Sequence, residues 1–228
     1  MRRVLDYGTV PALSGQADSM VIFLHGYGAD GADLLGLADH LAPHLPDTVF
    51  LAPNAPERSA LNPMGHQWFP IPWIDGSSQE DQADGLARAA GDLNAFLDRV
   101  MAEHDMLPEQ VALVGFSQGT MMSLQVAPRR DDPLAGVVGF SGRLIAPEAL
   151  IDDVKSRPPI LLIHGDADEV VPPQALPEAA EALEAAGFSE VYAHVMRGTG
   201  HGIAPDGLSV ALAFLRQVLG QDRAGPHD

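Results

Sequence analysis

Ser117 stands in Gly115-Phe116-Ser117-Gln118-Gly119, behind the apolar run Val111–Gly115 and ahead of Thr120-Met121-Met122-Ser123-Leu124. The run reads as a buried strand, the glycines as a sharp turn and the next stretch as a helix. A serine at the tip of so tight a bend takes a strained backbone conformation. Side chains two residues to either side would collide there, which is why both positions are glycine. The helix behind it aims free N–H groups and a positive dipole end at the hydroxyl. The chemistry on offer is nucleophilic attack, for which a serine hydroxyl needs a base and the base an orienting carboxylate.

Nine histidines are present. In a serine–acid–histidine order, only His194, His201 and His227 lie late enough. His194 falls in the period of a strand and His227 in the terminal stretch. His201 sits in the glycine-rich Gly198-Thr199-Gly200-His201-Gly202, a loop able to swing an imidazole over the serine, so His201 is the candidate base. Asp166 and Asp168 come after the run Ile160–His164, at the carboxyl end of a strand, where open α/β sheets gather catalytic groups. Asp168 lies further out and suits an imidazole partner, whereas Asp166 suits a turn tied through backbone N–H groups. Residue types alone leave these two close to even.

The strand Met20–Leu24 runs into His25-Gly26-Tyr27-Gly28. Such a loop can turn a backbone N–H inward without side-chain obstruction, and with the N–H of Gln118 it would hold a developing oxyanion. His25 reads as structural. Ser141, in Gly139-Phe140-Ser141-Gly142, also ends a strand, but it lacks the glycine two residues on. Nothing helical is expected to follow it because Pro147 intervenes, so Ser141 reads as a turn or pocket residue. The chain has no cysteine, which excludes disulfides and thiol nucleophiles. No zinc cluster, phosphate loop or dinucleotide fingerprint is present, so no metal and no cofactor is expected.

The elements that must position these groups are short apolar runs bounded by turn residues: Met20–Leu24, Thr48–Ala52, Val111–Gly115, Gly136–Phe140, Ile160–His164 and Glu190–Val195. Most are apolar on both faces, as strands buried in a parallel sheet are. Leu86, Ala89, Ala90, Leu93, Phe96, Leu97, Val100 and Met101 repeat at helical spacing and predict an amphipathic helix over 79–104. Leu208, Ala211, Leu212, Leu215 and Leu219 predict another, with shorter helices over 120–127 and 177–186. The alternation predicts an α/β fold, a mostly parallel sheet with helices on both faces. One domain over 1–220 and a frayed tail over 221–228 are expected, with Pro53–Ser78 as a long irregular stretch holding both tryptophans. A formal charge of −18, from 13 basic and 31 acidic residues, argues against nucleic acid and anionic membranes as partners. No run is long enough to span a bilayer, so a cytoplasmic protein is expected. Its oligomeric state stays open, a homodimer included.

With Leu24-His25-Gly26-Tyr27-Gly28, Ala52-Pro53-Asn54-Ala55-Pro56, Trp68-Phe69, Gln79-Glu80-Asp81, Gly115-Phe116-Ser117-Gln118-Gly119, His164-Gly165-Asp166-Ala167-Asp168 and Gly200-His201 in register, the chain resembles the phospholipase/carboxylesterase family. That is the α/β-hydrolase group of bacterial carboxylesterases and acyl-protein thioesterases. The resemblance covers nearly the whole chain and implies an α/β-hydrolase fold without a large cap domain. It further implies a triad of Ser117, Asp168 and His201, with oxyanion donors at the N–H groups of Tyr27 and Gln118. The activity implied is cleavage of a small-molecule carboxylic ester through an acyl-enzyme, with acyl-protein thioesterase or lysophospholipase as the alternative. Two positions depart from the family pattern: Thr120, where a second glycine is frequent, and Tyr27, where leucine is common. Met64, Trp68, Trp73, Met121, Leu144 and Ile203 are the expected substrate-wall residues, with core packing the competing role for each.

Overall fold

The computed structural model describes residues 2–221. In chain order its strands are β1 (Tyr7–Val10), β2 (Ser19–Leu24), β3 (Thr48–Pro53), the two-residue β4 (Glu57–Arg58) and β5 (His66–Gln67), β6 (Val111–Phe116), β7 (Gly136–Phe140), β8 (Ile160–Gly165) and β9 (Val191–Met196). Seven join one sheet in the order β1-β3-β2-β6-β7-β8-β9, with β1 antiparallel and the others parallel; β4 and β5 form a separate hairpin. The helices are α1 (Gly31–Leu35), α2 (Ala38–Leu41), α3 (Pro72–Asp75), α4 (Gln79–His104), α5 (Gln118–Val126), α6 (Pro147–Asp153), α7 (Ala175–Ala185) and α8 (Pro205–Val218).

The period of two along each strand divides the core. Met20, Ile22 and Leu24 pack to one face with α4, α5, α6 and α7, whereas Val21 and Phe23 pack to the other with α1, α2 and α8. The same split recurs in β6, with Val111 and Leu113 on the first face and Ala112 and Val114 on the second. Strands this apolar on both sides are stable only between two helical layers, the arrangement the alternating sequence predicts. Helix α4 has the predicted bounds because its ends are capped. Ser78 and Asp81 form a capping box at its start, and Asp105 ends it in the left-handed region (φ 54°).

Three sequence expectations need correction. Pro53–Ser78 is not uniformly irregular, since it contains the β4–β5 hairpin and helix α3. Pro147 opens a helix, at the first helical position where a missing N–H costs nothing. Gln221 is not frayed, because its side-chain amide donates to Ser19 Oγ (2.8 Å) and Thr48 Oγ1 (3.0 Å). The remainder of the expected tail, His227 included, lies outside the described residues.

The chain leaves β2 toward β3 on one side and later returns to β6 on the other, so strand order reverses between β2 and β6. Crevices of this kind, at the carboxyl ends of strands, are where α/β sheets bind ligands. Here the crevice lies between the loop after Leu24 and the turn at Ser117.

Candidate active site

Ser117 takes φ 54° and ψ −113°, between the last residue of β6 and the first of α5. Its N–H donates to the Phe140 carbonyl at 2.8 Å, which fixes the bend to β7. The flanking glycines are required by contact. A Cβ at Gly115 would lie 2.5 Å from the Gly119 carbonyl carbon, and one at Gly119 would run into the Leu24 carbonyl. Thr120, the departure from the family pattern, fills the space behind the serine. Its hydroxyl donates to Phe140 O at 2.8 Å, and its side chain occupies room left by Gly139 and Gly142.

Of the two carboxylates that residue types left open, Asp168 is the one against His201. Its Oδ2 lies 2.8 Å from His201 Nδ1, while its Oδ1 accepts the N–H groups of Val170 and Val171, both at 2.9 Å. Burial by itself pushes the Asp168 carboxyl up, but the bonds from His201, Val171 and Val170 outweigh it and hold the group below the usual carboxylate range. An ionised Asp168 keeps the proton of a neutral His201 on Nδ1 and leaves Nε2 as the free acceptor. The imidazole packs against the ring of Phe116, the residue before Ser117 in the chain, with centroids 4.9 Å apart and the planes inclined at 48°. Asp166 does the turn-tying expected of it, accepting the Gly198 N–H at 2.6 Å. Gly165 underlies the same loop: a Cβ there would strike the Thr199 carbonyl. His194, by contrast, bonds Asp206 at the exposed surface.

Gly26 faces the serine, and a Cβ on it would lie 3.4 Å from Ser117 Cβ. Neither the Tyr27 N–H nor the Gln118 N–H donates a hydrogen bond to any acceptor among the described residues. Two unsatisfied backbone amides flanking one serine are what an oxyanion site requires. Gln118 is locked by its side chain, which accepts from Trp68 N–H (2.9 Å) and donates to Phe69 O (2.7 Å). The Tyr27 hydroxyl donates to Asp75 Oδ2 at 3.1 Å, tying the loop after β2 to α3.

The expected wall residues separate into three groups. Trp68 is fully buried, with its indole N–H donating to His25 O at 3.0 Å, and it belongs to the core rather than to a wall. Met121 and Leu144 are likewise core residues. Met64 and Trp73 are exposed, Trp73 under the guanidinium of Arg143 at 5.5 Å. Ile203 borders a groove of about 440 Å³ between α2 and α8. Sequence reasoning missed His164. Its Nε2–H donates to Val171 O at 2.9 Å and lies 3.3 Å from Asp168 Oδ2, so it braces the acid loop from beneath. The one available signal was its place four residues before Asp168 at the end of a buried strand.

A family model described as Phospholipase/Carboxylesterase matches residues 6–219. The chain belongs to this family. It is a carboxylic ester hydrolase of that family, with an α/β-hydrolase fold and no cap domain among the described residues. The crystal structure of esterase PE8 is 42% identical, with a TM-score of 0.90 over 95% of this chain and 100% of that one. Acyl-protein thioesterase 1 of Saccharomyces cerevisiae is 31% identical over 219 residues, 89% of this chain and 94% of that protein. Esterase YpfH of Escherichia coli is 26% identical over 217 residues, 94% of this chain and 89% of that protein. No helix among the described residues of this family member is long and apolar enough to cross a membrane.

Proposed function

We propose that the protein is a serine carboxylesterase that works through an acyl-enzyme. Ser117 attacks the acyl carbon of a small-molecule ester while His201 Nε2 takes the hydroxyl proton. Asp168 holds the imidazole in orientation and steadies its cationic form. The tetrahedral oxyanion is received by the N–H groups of Tyr27 and Gln118. His201 then delivers the proton to the departing alcohol, and water repeats the attack to release the acid and restore the serine. The observation that carries this assignment is the Asp168–His201 pair, 2.8 Å apart, with its imidazole packed against Phe116, the residue that precedes Ser117 in the chain. Labelling by a fluorophosphonate probe tests it, since a serine that no probe modifies would remove the acyl-enzyme from the mechanism.

A second reading is an acyl-protein thioesterase, supported by the likeness to the yeast thioesterase. The same residues serve, because only the leaving group changes from alkoxide to thiolate. Comparing short-chain esters with long-chain acyl thioesters separates the two.

A further inference from the structure

We propose that His25 sets the direction of the Tyr27 N–H, making its neutral imidazole a positioning residue for the oxyanion site. This role rests on the serine-esterase reading and deepens it. His25 is fully buried behind the end of β2. Its Nε2 accepts the Ala55 N–H at 2.9 Å, so that nitrogen carries no hydrogen and the proton of the neutral ring is on Nδ1. Nδ1 lies 2.7 Å from the Gly26 carbonyl oxygen and donates to it.

In a trans peptide the carbonyl and the N–H of the next residue point in opposite directions. Holding Gly26 O on the imidazole side therefore sends the Tyr27 N–H to the other side, and Tyr27 N–H is one of the two unsatisfied amides. The same carbonyl also accepts the Ala29 N–H at 3.3 Å, so two donors grip one peptide plane. The imidazole is itself enclosed, with the Trp68 ring at 5.7 Å and the His66 ring at 6.3 Å. Burial holds its pKa below the ordinary histidine value, in keeping with a ring that stays neutral. Without the Nδ1 donor only the longer bond from Ala29 holds the Gly26–Tyr27 peptide, and a rotated peptide presents a carbonyl oxygen where the oxyanion forms.

Two variants divide the ring's two bonds. In His25→Gln the side-chain oxygen can take the Nε2 position and still accept from Ala55, while the donor to Gly26 is lost. In His25→Asn the side-chain NH₂ takes the Nδ1 position and keeps that donor, while Ala55 loses its acceptor. The readouts are kcat and KM on a short-chain ester, Tm, and the inhibition constant of a trifluoromethyl ketone, whose serine adduct carries the oxyanion. For His25→Gln, kcat should fall about 10- to 100-fold, with KM little changed and ketone affinity weakened by the same factor. His25→Asn should keep kcat within about fivefold of wild type even if its Tm drops.

Wild-type kcat in His25→Gln, or losses in both variants that follow Tm with ketone affinity unmoved, would overturn the proposal. Should His25→Gln not fold, His25→Asn decides, and a loss there as large as that expected for the glutamine variant counts against the role. Fluorophosphonate labelling and Ser117→Ala run alongside. An unlabelled wild type with a fully active Ser117→Ala means the catalytic assignment itself has failed. Ser117-dependent labelling with a fully active His25→Gln means that only the role of His25 has.

Discussion

β6 and β7 both end in Gly-Phe and run into a serine, Gly115-Phe116-Ser117 and Gly139-Phe140-Ser141, and they pair in register as Gly115↔Gly139 and Phe116↔Phe140. Both serines sit at positive φ, 54° and 47°. Each donates its N–H to a carbonyl one strand over, Ser117 to Phe140 and Ser141 to Ile163, both at 2.8 Å. The backbone device is thus duplicated side by side. The two ends differ in the residues next in the chain and in the groups brought to meet them. After Ser117 a helix begins at once, the Gln118 N–H is left without an acceptor, and an imidazole packs against the preceding phenylalanine. After Ser141 comes Gly142, with no helix until Pro147, and the hydroxyl is fully buried without a partner. A strained serine at a strand end is therefore not a nucleophile in itself. On the proposed mechanism the free amides and the base make it one.

The widest separation between the two serines should appear in turnover. Ser117→Ala is expected to lower kcat by about 10⁶-fold while the protein stays folded, because truncating a triad serine removes the covalent route altogether. Steady-state hydrolysis of a chromogenic ester with a circular-dichroism melt checks both halves. Near wild-type rates in the variant would put the two strand ends on an equal footing and end the distinction.

Asp168→Asn comes next, at about 10⁴-fold in kcat, since an amide favours the wrong imidazole tautomer. It has a thermodynamic counterpart. The Asp168 carboxyl is held below its ordinary range, so its ionised form stabilises the fold above the unfolded-state value of about 3.9. That contribution is lost as pH falls through the lower folded-state value. The Tm gap between wild type and Asp168→Asn should accordingly be widest above about pH 5 and shrink below pH 4. A gap constant with pH would mean that the carboxylate bonds contribute nothing to folding.

How far these features were readable depended on length and on neighbours. The buried strands came within a residue or two of their bounds because each is a continuous apolar run. α4 came out whole because seven turns repeat one pattern between caps. β1 escaped because it pairs on one side only and is half exposed, so no apolar run marks it. α1, α2 and α3 are four or five residues long, too short for a 3.6-residue period to show. In the site, residue types named Ser117 and His201 but left Asp166 and Asp168 even, because the two differ only in the loop geometry that turns one toward His201 and the other toward Gly198. Trp68 was left between wall and core for a related reason. An irregular stretch shows no period that sorts core from surface, yet at Trp68 and Phe69 this one enters the core, its backbone there bonded by the side chain of Gln118.

The duplication can be probed where the two strand ends touch. A Cβ at Gly142 would strike Thr120 Cβ and lie 2.8 Å from the Ser117 carbonyl. Gly142→Ala should therefore displace the elbow, costing about 1–3 kcal/mol of stability and roughly tenfold in kcat. Thr120→Gly on that background removes the opposing side chain and should recover much of both, as contacting residues couple non-additively. Failure of the double variant to recover would place the origin of the loss away from the elbow.

The smallest effect is expected at Ser141, and it comes from the unpaired hydroxyl. Ser141 Oγ is buried with no hydrogen-bond partner among the described residues. A buried hydroxyl without a partner has surrendered its water and gained nothing for it, so deleting it should be neutral or stabilising by up to about 1 kcal/mol. The positive φ is unaffected, since alanine meets the same backbone cost as serine there. Ser141→Ala should thus keep kcat/KM within about twofold of wild type and leave Tm unchanged or slightly raised. If turnover instead fell tenfold or more with Tm unmoved, the second serine would be acting on the first, and the two strand ends would have to be treated as one site.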